Sequence, residues 1–195
     1  MKYLLIVAAW LAYLPLASAA PSLVGGTGLI NTETADVLRS GQMSFGVDSV
    51  HEGLMENFVI GVGENLEFGL TNIKYHGHSQ QTFVQAKYAL IPEEIFTPGI
   101  SIGLEGAFQQ NHRTKYIVMS KTLPFGFRLH VGTGDGRYNG SFGALEASLN
   151  PWTTVIGEYD GKTMNYGLRL AIAPSLKLEG GLRGHHTYYG INFTR

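Results

Sequence analysis

The sequence contains no cysteine. That excludes a disulfide framework, a thiolate metal site, a thiol nucleophile and a lipidated cysteine behind an export signal. Beyond its first residues it has no apolar run long enough to cross a membrane as a helix. It has no excess charge of either sign, with 14 Lys and Arg against 15 Asp and Glu. Such a balance gives no reason to expect nucleic-acid binding. No Gly-x-Ser-x-Gly elbow is present, which argues against a familiar serine hydrolase. Gly25-Gly26-Thr27-Gly28 lacks the Gly-Lys-Ser/Thr ending of a phosphate loop, and Gly132-Thr133-Gly134-Asp135-Gly136 reads as a hairpin loop. No cofactor is expected.

What is present begins with a short basic start, Met1-Lys2, an apolar stretch from Tyr3 to Leu16, and the small residues Ala17-Ser18-Ala19. That order predicts a secretory signal peptide cut after Ala19. About 175 residues then remain, enough for one domain. The 26 Gly, 10 Tyr and 10 Phe suit a sheet-rich chain better than a helical one. Three parts are expected: a signal peptide over 1–19, a Gly-rich N-terminal segment over 20–40, and a barrel over 41–195. Within the segment, Thr32 to Leu38 is predicted to make two helical turns with Thr32 as N-cap.

From Gly41 onward the hydrophobic period is two. Leu66, Phe68 and Leu70 oppose Glu67, Gly69 and Thr71. Ile100, Ile102, Leu104, Gly106 and Phe108 oppose Ser101, Gly103, Glu105, Ala107 and Gln109. Phe127, Leu129 and Val131 oppose Arg128, His130 and Gly132, and Met164, Tyr166, Leu168 and Leu170 oppose Asn165, Gly167, Arg169 and Ala171. Leu176, Leu178 and Leu182 oppose Lys177, Glu179 and Arg183, and Tyr189, Ile191 and Phe193 oppose Gly190, Asn192 and Thr194. Eleven turn signals, from His51-Glu52-Gly53 to Gly184-His185-His186, separate twelve strands of roughly 8–11 residues, a length that crosses an outer membrane when tilted.

Alternation fits a soluble barrel, a sandwich or a membrane barrel equally. Export, a lumen too wide for side chains to fill as a dry core, and aromatics near strand ends favour an antiparallel transmembrane β-barrel of the bacterial outer membrane, in contact with its lipids. The expected interfacial aromatics are Tyr75, Phe96, Tyr116, Phe125, Tyr138, Trp152, Tyr159, Tyr188 and Tyr189. An even strand number puts both ends of the barrel on the periplasmic side. The lumen then receives Glu67, Gln85, Lys87, Glu105, Gln109, Arg128, His130, Glu146, Glu158, Asn165, Arg169, Lys177, Glu179 and Arg183. These mixed charges are expected to pair across neighbouring strands. They form either a plug of salt bridges or a narrow polar conduit. Whether residues 21–40 fill the lumen or lie in the periplasm stays open.

A more specific signal runs through the second half. It comprises Val118-Met119-Ser120-Lys121-Thr122-Leu123, Leu129-His130-Val131-Gly132-Thr133-Gly134, Phe142-Gly143-Ala144-Leu145-Glu146, Gly157-Glu158-Tyr159-Asp160-Gly161-Lys162 and Asn165-Tyr166-Gly167-Leu168-Arg169. This resembles the YjbH-type outer-membrane proteins. Gly25-Gly26-Thr27-Gly28-Leu29-Ile30 followed by Thr34-Ala35 is similar to the same family's N-terminal motif. The resemblance covers roughly 25–35 and 115–170. It implies an outer-membrane barrel linked to exopolysaccharide production and export, with polysaccharide or envelope assembly proteins as partners. It offers no catalytic residue to carry over. Members of this family are often longer lipoproteins with more than one barrel-like domain, whereas this chain has no lipidation cysteine and one barrel's worth of strands.

Read by its chemistry, the Glu158–Asp160 stretch places two acids on the lumen face beside Asn165 and Arg169 of the next strand, which invites cross-strand pairing. Two carboxylates can also perform acid–base hydrolysis of a glycoside, but same-strand acids at this spacing are common in barrels. His51, His76, His78, His112, His185 and His186 fall in or beside odd-numbered turns, on one rim. Such a rim binds a transition metal only if the loops converge; no metal site is assigned. The expected function is a non-enzymatic conduit or scaffold for exopolysaccharide assembly or export. The alternatives are a general small-solute porin and an outer-membrane enzyme.

Overall fold

The computed structural model describes residues 20–77, 79–108 and 112–195. The expected signal peptide with its cleavage after Ala19, and the expected positions of His78, Gln109 and Asn111, lie outside the described residues. Twelve strands follow one another: β1 (Met43–Val50), β2 (Gly53–Val62), β3 (Leu66–Tyr75), β4 (Gln80–Ile91), β5 (Gly99–Glu105), β6 (Thr114–Thr122), β7 (Phe127–Gly134), β8 (Gly140–Asn150), β9 (Thr153–Tyr159), β10 (Met164–Ala173), β11 (Leu176–Arg183) and β12 (His186–Thr194). Each pairs antiparallel with its chain neighbours, and β1 pairs with β12, so the sheet closes into a barrel with no free edge.

The period of two decides which side chains meet the interior. In β6, Thr114, Tyr116, Val118 and Ser120 are buried, while Lys115, Ile117 and Met119 are exposed. In β10, Asn165, Gly167 and Arg169 are buried, while Met164, Tyr166, Leu168 and Leu170 are exposed. Polar and ionic groups thus lie inside with a smaller apolar set that includes Met55, Ile73, Val118 and Ile156, and the exterior is mostly aliphatic and aromatic. Phe45, Phe68, Leu70, Ile102, Leu129, Leu145, Leu168 and Ile191 are each 40–48% exposed. A continuous apolar exterior of this kind is unfavourable in water. It is what a barrel requires where its outside meets lipid.

Three expectations need correction. Residues 32–38 are not helical; no α-helix occurs among the described residues. The backbone donors that a helix would use internally are taken by the barrel wall: Thr32 N–H donates to Glu158, Ala35 N–H to Ser120 Oγ, and Leu38 N–H to Glu67. The fifth strand stops at Glu105 instead of running to 109, because Gly106 turns the chain at φ 63°. Tyr116, Tyr138 and Tyr188 are not interfacial but buried inside the barrel, 6%, 0% and 2% exposed. Tyr138 stacks on Phe142 at 4.0 Å and meets Tyr116 edge-on at 5.8 Å. Phe96, Phe125 and Trp152 do project outward from the even-numbered turns.

Candidate functional site: the lumen and the segment inside it

Residues 20–38 are almost wholly buried and carry no regular structure. The segment doubles back on itself through bridges between Pro21 and Thr27 and between Gly28 and Glu33. Gly28 permits this fold-back: a Cβ there would sit 2.5 Å from the carbonyl oxygen of Thr32. Gly167 of β10 makes room in the wall, where a Cβ would stand 3.0 Å from Ile30. Small residues on both sides therefore let the segment approach the sheet closely.

The segment is held mainly by acidic and basic side chains of the wall. Glu158 of β9 accepts from three successive backbone N–H groups, those of Ile30 (3.1 Å), Asn31 (2.6 Å) and Thr32 (3.2 Å), and from the Thr32 hydroxyl at 2.9 Å. Asn165 of β10 donates to the same carboxylate at 2.8 Å. Asp160 receives the side-chain amide of Asn31 at 2.7 Å. Arg169 donates to the Leu29 carbonyl at 2.7 Å and pairs with Glu179 of β11. Arg183 reaches the Asn31 side chain at 2.9 Å and pairs with Glu52.

A second carboxylate does the same on the opposite wall, since β3 and β9 stand six strands apart in a ring of twelve. Glu67 of β3 accepts from Thr27 N–H at 2.8 Å and from Leu38 N–H at 2.9 Å. Lys87 of β4, its cross-strand partner, lies 3.1 Å from Glu67 and 3.2 Å from Glu33 of the segment, and donates to the Thr27 carbonyl. The Lys87 and Glu67 side chains are 1% exposed and that of Glu33 is 0%. Ions this deeply buried are tolerable only when paired and hydrogen-bonded on all sides.

The segment leaves the lumen past a third group. Ser101 Oγ donates to the Ala35 carbonyl at 2.5 Å, and Arg128 grips Asp36 with two nitrogens and Glu93 with one. Burial opposes ionisation of Asp36 and of Glu93, but hydrogen bonds and the Arg128 charge outweigh it and hold both carboxyls below their usual range. Asp160 is likewise kept low against its burial, by donors from Asn31, Thr163, Asn165 and Lys162.

Of the lumen residues expected from sequence, Glu67, Lys87, Glu105, Arg128, His130, Glu158, Asn165, Arg169 and Glu179 are buried, while Glu146, Lys177 and Arg183 are half-buried. Gln85 is also buried. The pairing is only partly cross-strand. Glu67 with Lys87, Glu158 with Asn165, and Arg169 with Glu179 follow the register. Arg128 faces Glu146 in register but takes Asp36 and Glu93 instead. Glu105 is gripped by Arg137 from the β7–β8 turn.

Several participants lie outside the lumen residues expected from the sequence. Ser120, Glu33, Asp36, Arg137 and Tyr138 all touch the segment or its holders, and Tyr138 Oη accepts from Glu33 N–H at 3.2 Å. Ser120 lies 2.7 Å from His130 Nδ1, whose Nε2 lies 2.9 Å from Glu146. This row of serine, histidine and glutamate has the residue types of a hydrolytic triad. Ser120 and His130 are both 0% exposed, and Ser120 Oγ already receives Ala35 N–H. The row therefore secures the segment and leaves no space for a substrate.

Of the described rim histidines, His76, His112, His185 and His186 are exposed, and no group of three potential metal ligands converges among the described residues. His186 stacks instead on His51, with ring centroids 3.8 Å apart, and His112 meets Phe83 edge-on at 5.9 Å.

A family model described as YjbH, exopolysaccharide biosynthesis protein YbjH, matches residues 21–171. The match spans the segment and its holders from β3 to β10, so the N-terminal motif and the Glu158–Asn165 motif are two sides of one contact. Comparison with curated protein sequences gives no match. Among solved structures, a KdgM porin is 15% identical with a TM-score of 0.56, over 78% of this chain and 98% of the porin. A KdgM porin in complex with disordered oligogalacturonate is 13% identical with a TM-score of 0.55, over 78% and 98%. These likenesses show a shared barrel fold.

Proposed function

The chain belongs to the YjbH family of exopolysaccharide biosynthesis proteins, and from that premise we propose that it is a plugged outer-membrane barrel acting as a non-enzymatic scaffold in exopolysaccharide assembly or export. In this reading it is exported by a signal peptide cut after Ala19, and residues 20–40 serve as the plug. The observation that carries the proposal is the capture of that segment from opposite walls by Glu67 and Glu158. An open channel needs a continuous path, and here backbone crosses the lumen with its donors bound to the wall. The apolar exterior supports insertion in lipid. Both ends of the barrel face the periplasm, and the histidine-bearing turns face the exterior. Its partners are outer-membrane lipids, the polysaccharide and envelope assembly proteins.

A second reading, a small-solute porin, is favoured by the fold shared with a porin described with an oligogalacturonate. Planar-bilayer recordings separate the two. The intact protein should give no steady conductance, and deletion of residues 21–38 should produce stable channels. Large, steady channels from the intact protein would establish the porin reading. Migration of detergent-folded protein before and after boiling tests the membrane barrel itself; identical mobility and solubility without detergent would refute it.

A further inference from the structure

The start of the segment lies against a part of the wall that the lumen network leaves unsatisfied. Ala20 is 2% exposed, and its carbonyl accepts from Gly28 N–H at 2.8 Å. The ring of the next residue, Pro21, lies with Asp48 Oδ2 and Asn192 Oδ1 within 3.4 Å of one point above the Cα of Gly46. Asp48 sits on β1 and Asn192 on the adjoining β12. Both residues are 2% exposed, yet Asp48 Oδ1 and Asn192 Oδ1 have no hydrogen-bond partner among the described residues. The other Asp48 oxygen has only a long contact, 3.5 Å, from the Asn57 amide. Arg169, the nearby guanidinium, is committed to Glu179 and to the Leu29 carbonyl. Two buried acceptor oxygens on adjoining strands, one of them on an ionisable group, thus lack a protein donor among the described residues, which is costly to leave so.

We infer that these acceptors form a binding site for the chain's own α-ammonium group, created when the bond between Ala19 and Ala20 is cut. The inference rests on the cleavage proposed above. In that hydrolysis water adds across the peptide bond. The carbonyl carbon of Ala19 takes the hydroxyl and leaves as a carboxylate. The nitrogen of Ala20 takes hydrogen and becomes an ammonium at neutral pH. An α-ammonium brings three donors on one compact charge, as many as Asp48, Asn192 and one further acceptor can use. Before the cut, the same nitrogen is an uncharged amide with one N–H. Maturation therefore supplies the missing partner, and the plug locks only in the processed protein.

The test uses the exported protein purified from membranes in detergent. Intact mass reads the mature N-terminus. Acetylation by an amine-reactive ester, followed by peptide mapping, compares the Ala20 α-amine in folded and denatured protein. The amine should react roughly tenfold or more slowly when folded, by a factor set by how rarely the segment opens. Asp48→Asn should abolish that protection and lower the unfolding temperature. In protein refolded with one extra residue before Ala20, the same substitution should have no effect. A chain starting elsewhere than Ala20 overturns the cleavage reading and this inference together. A chain starting at Ala20 whose amine reacts as fast folded as denatured overturns this inference alone.

Discussion

Replacing Glu158 by glutamine changes almost no volume but removes the charge on which the segment turns. In the wild type, the two carboxylate oxygens accept from Ile30, Asn31 and Thr32 N–H, the Thr32 hydroxyl and the Asn165 amide. Every neighbour is a donor. A glutamine keeps one acceptor oxygen and aims its own amide hydrogens at donors. Hydrogen bonds to a buried charge contribute about 1.5–3 kcal/mol each, and a donor left without an acceptor costs more. Losing even two of them should ease local opening of residues 30–32 by about 3 kcal/mol, or roughly 100-fold in open population. Hydrogen exchange of detergent-folded protein reads this directly. The amides of 30–32 should exchange about 100-fold faster, while those in the β9–β10 ladder keep their protection. Unchanged protection at 30–32 in the Glu158→Gln protein would refute the argument that this carboxylate holds the segment.

Acid should loosen the other end. Arg128 outweighs burial and holds the folded Asp36 carboxyl below the ordinary aspartate range; its contribution is complete above the unfolded pKa and is lost as pH falls through the folded one. Exchange at residues 35–38 should therefore rise below about pH 4, and Asp36→Asn should remove most of that step. Lys87→Met should leave Glu33 and Glu67 buried without their cation and cost about 3–5 kcal/mol in urea unfolding, with partial recovery on adding Glu67→Gln. Leu168→Arg places a charge on the outer face and should cost about 2–4 kcal/mol in lipid vesicles if that face meets the bilayer interior; a neutral result would remove the lipid contact.

The sheet was legible because its information is local. Alternation such as Leu66-Glu67-Phe68 states both the strand and its facing, and Asp160-Gly161 or Pro174-Ser175 marks where it ends. Closure followed from counting strands and turns. The course of residues 20–40 was hidden for the opposite reason. Its backbone groups bond to side chains more than 100 positions away, such as Glu158, so neither propensity nor period records its path. The expected helix at Thr32 failed on this point. Tyr116, Tyr138 and Tyr188 were misplaced because an aromatic near a strand end suits a membrane interface and a packed lumen equally. Alternation places the charged side chains on the inward face, and register gives partners such as Lys87 for Glu67, but Asp36, Glu33 and Arg137 lie outside the strands and escape both.

The closure of the barrel has a kinetic consequence. β1 and β12 form a seam between residues about 150 positions apart, as where Ser44 meets Thr194. A seam of this kind is where a closed sheet is expected to unzip first, because it depends on the longest loop. Here the segment bonds to both sides of it, to Asn57 of β2 through Leu23 and to Arg169 and Arg183 of β10 and β11 through Leu29 and Asn31. It acts as an internal splint. Parting the seam requires these bonds to break as well, so the segment should lengthen the lifetime of the folded barrel, an effect that unfolding rates with and without residues 21–38 would read.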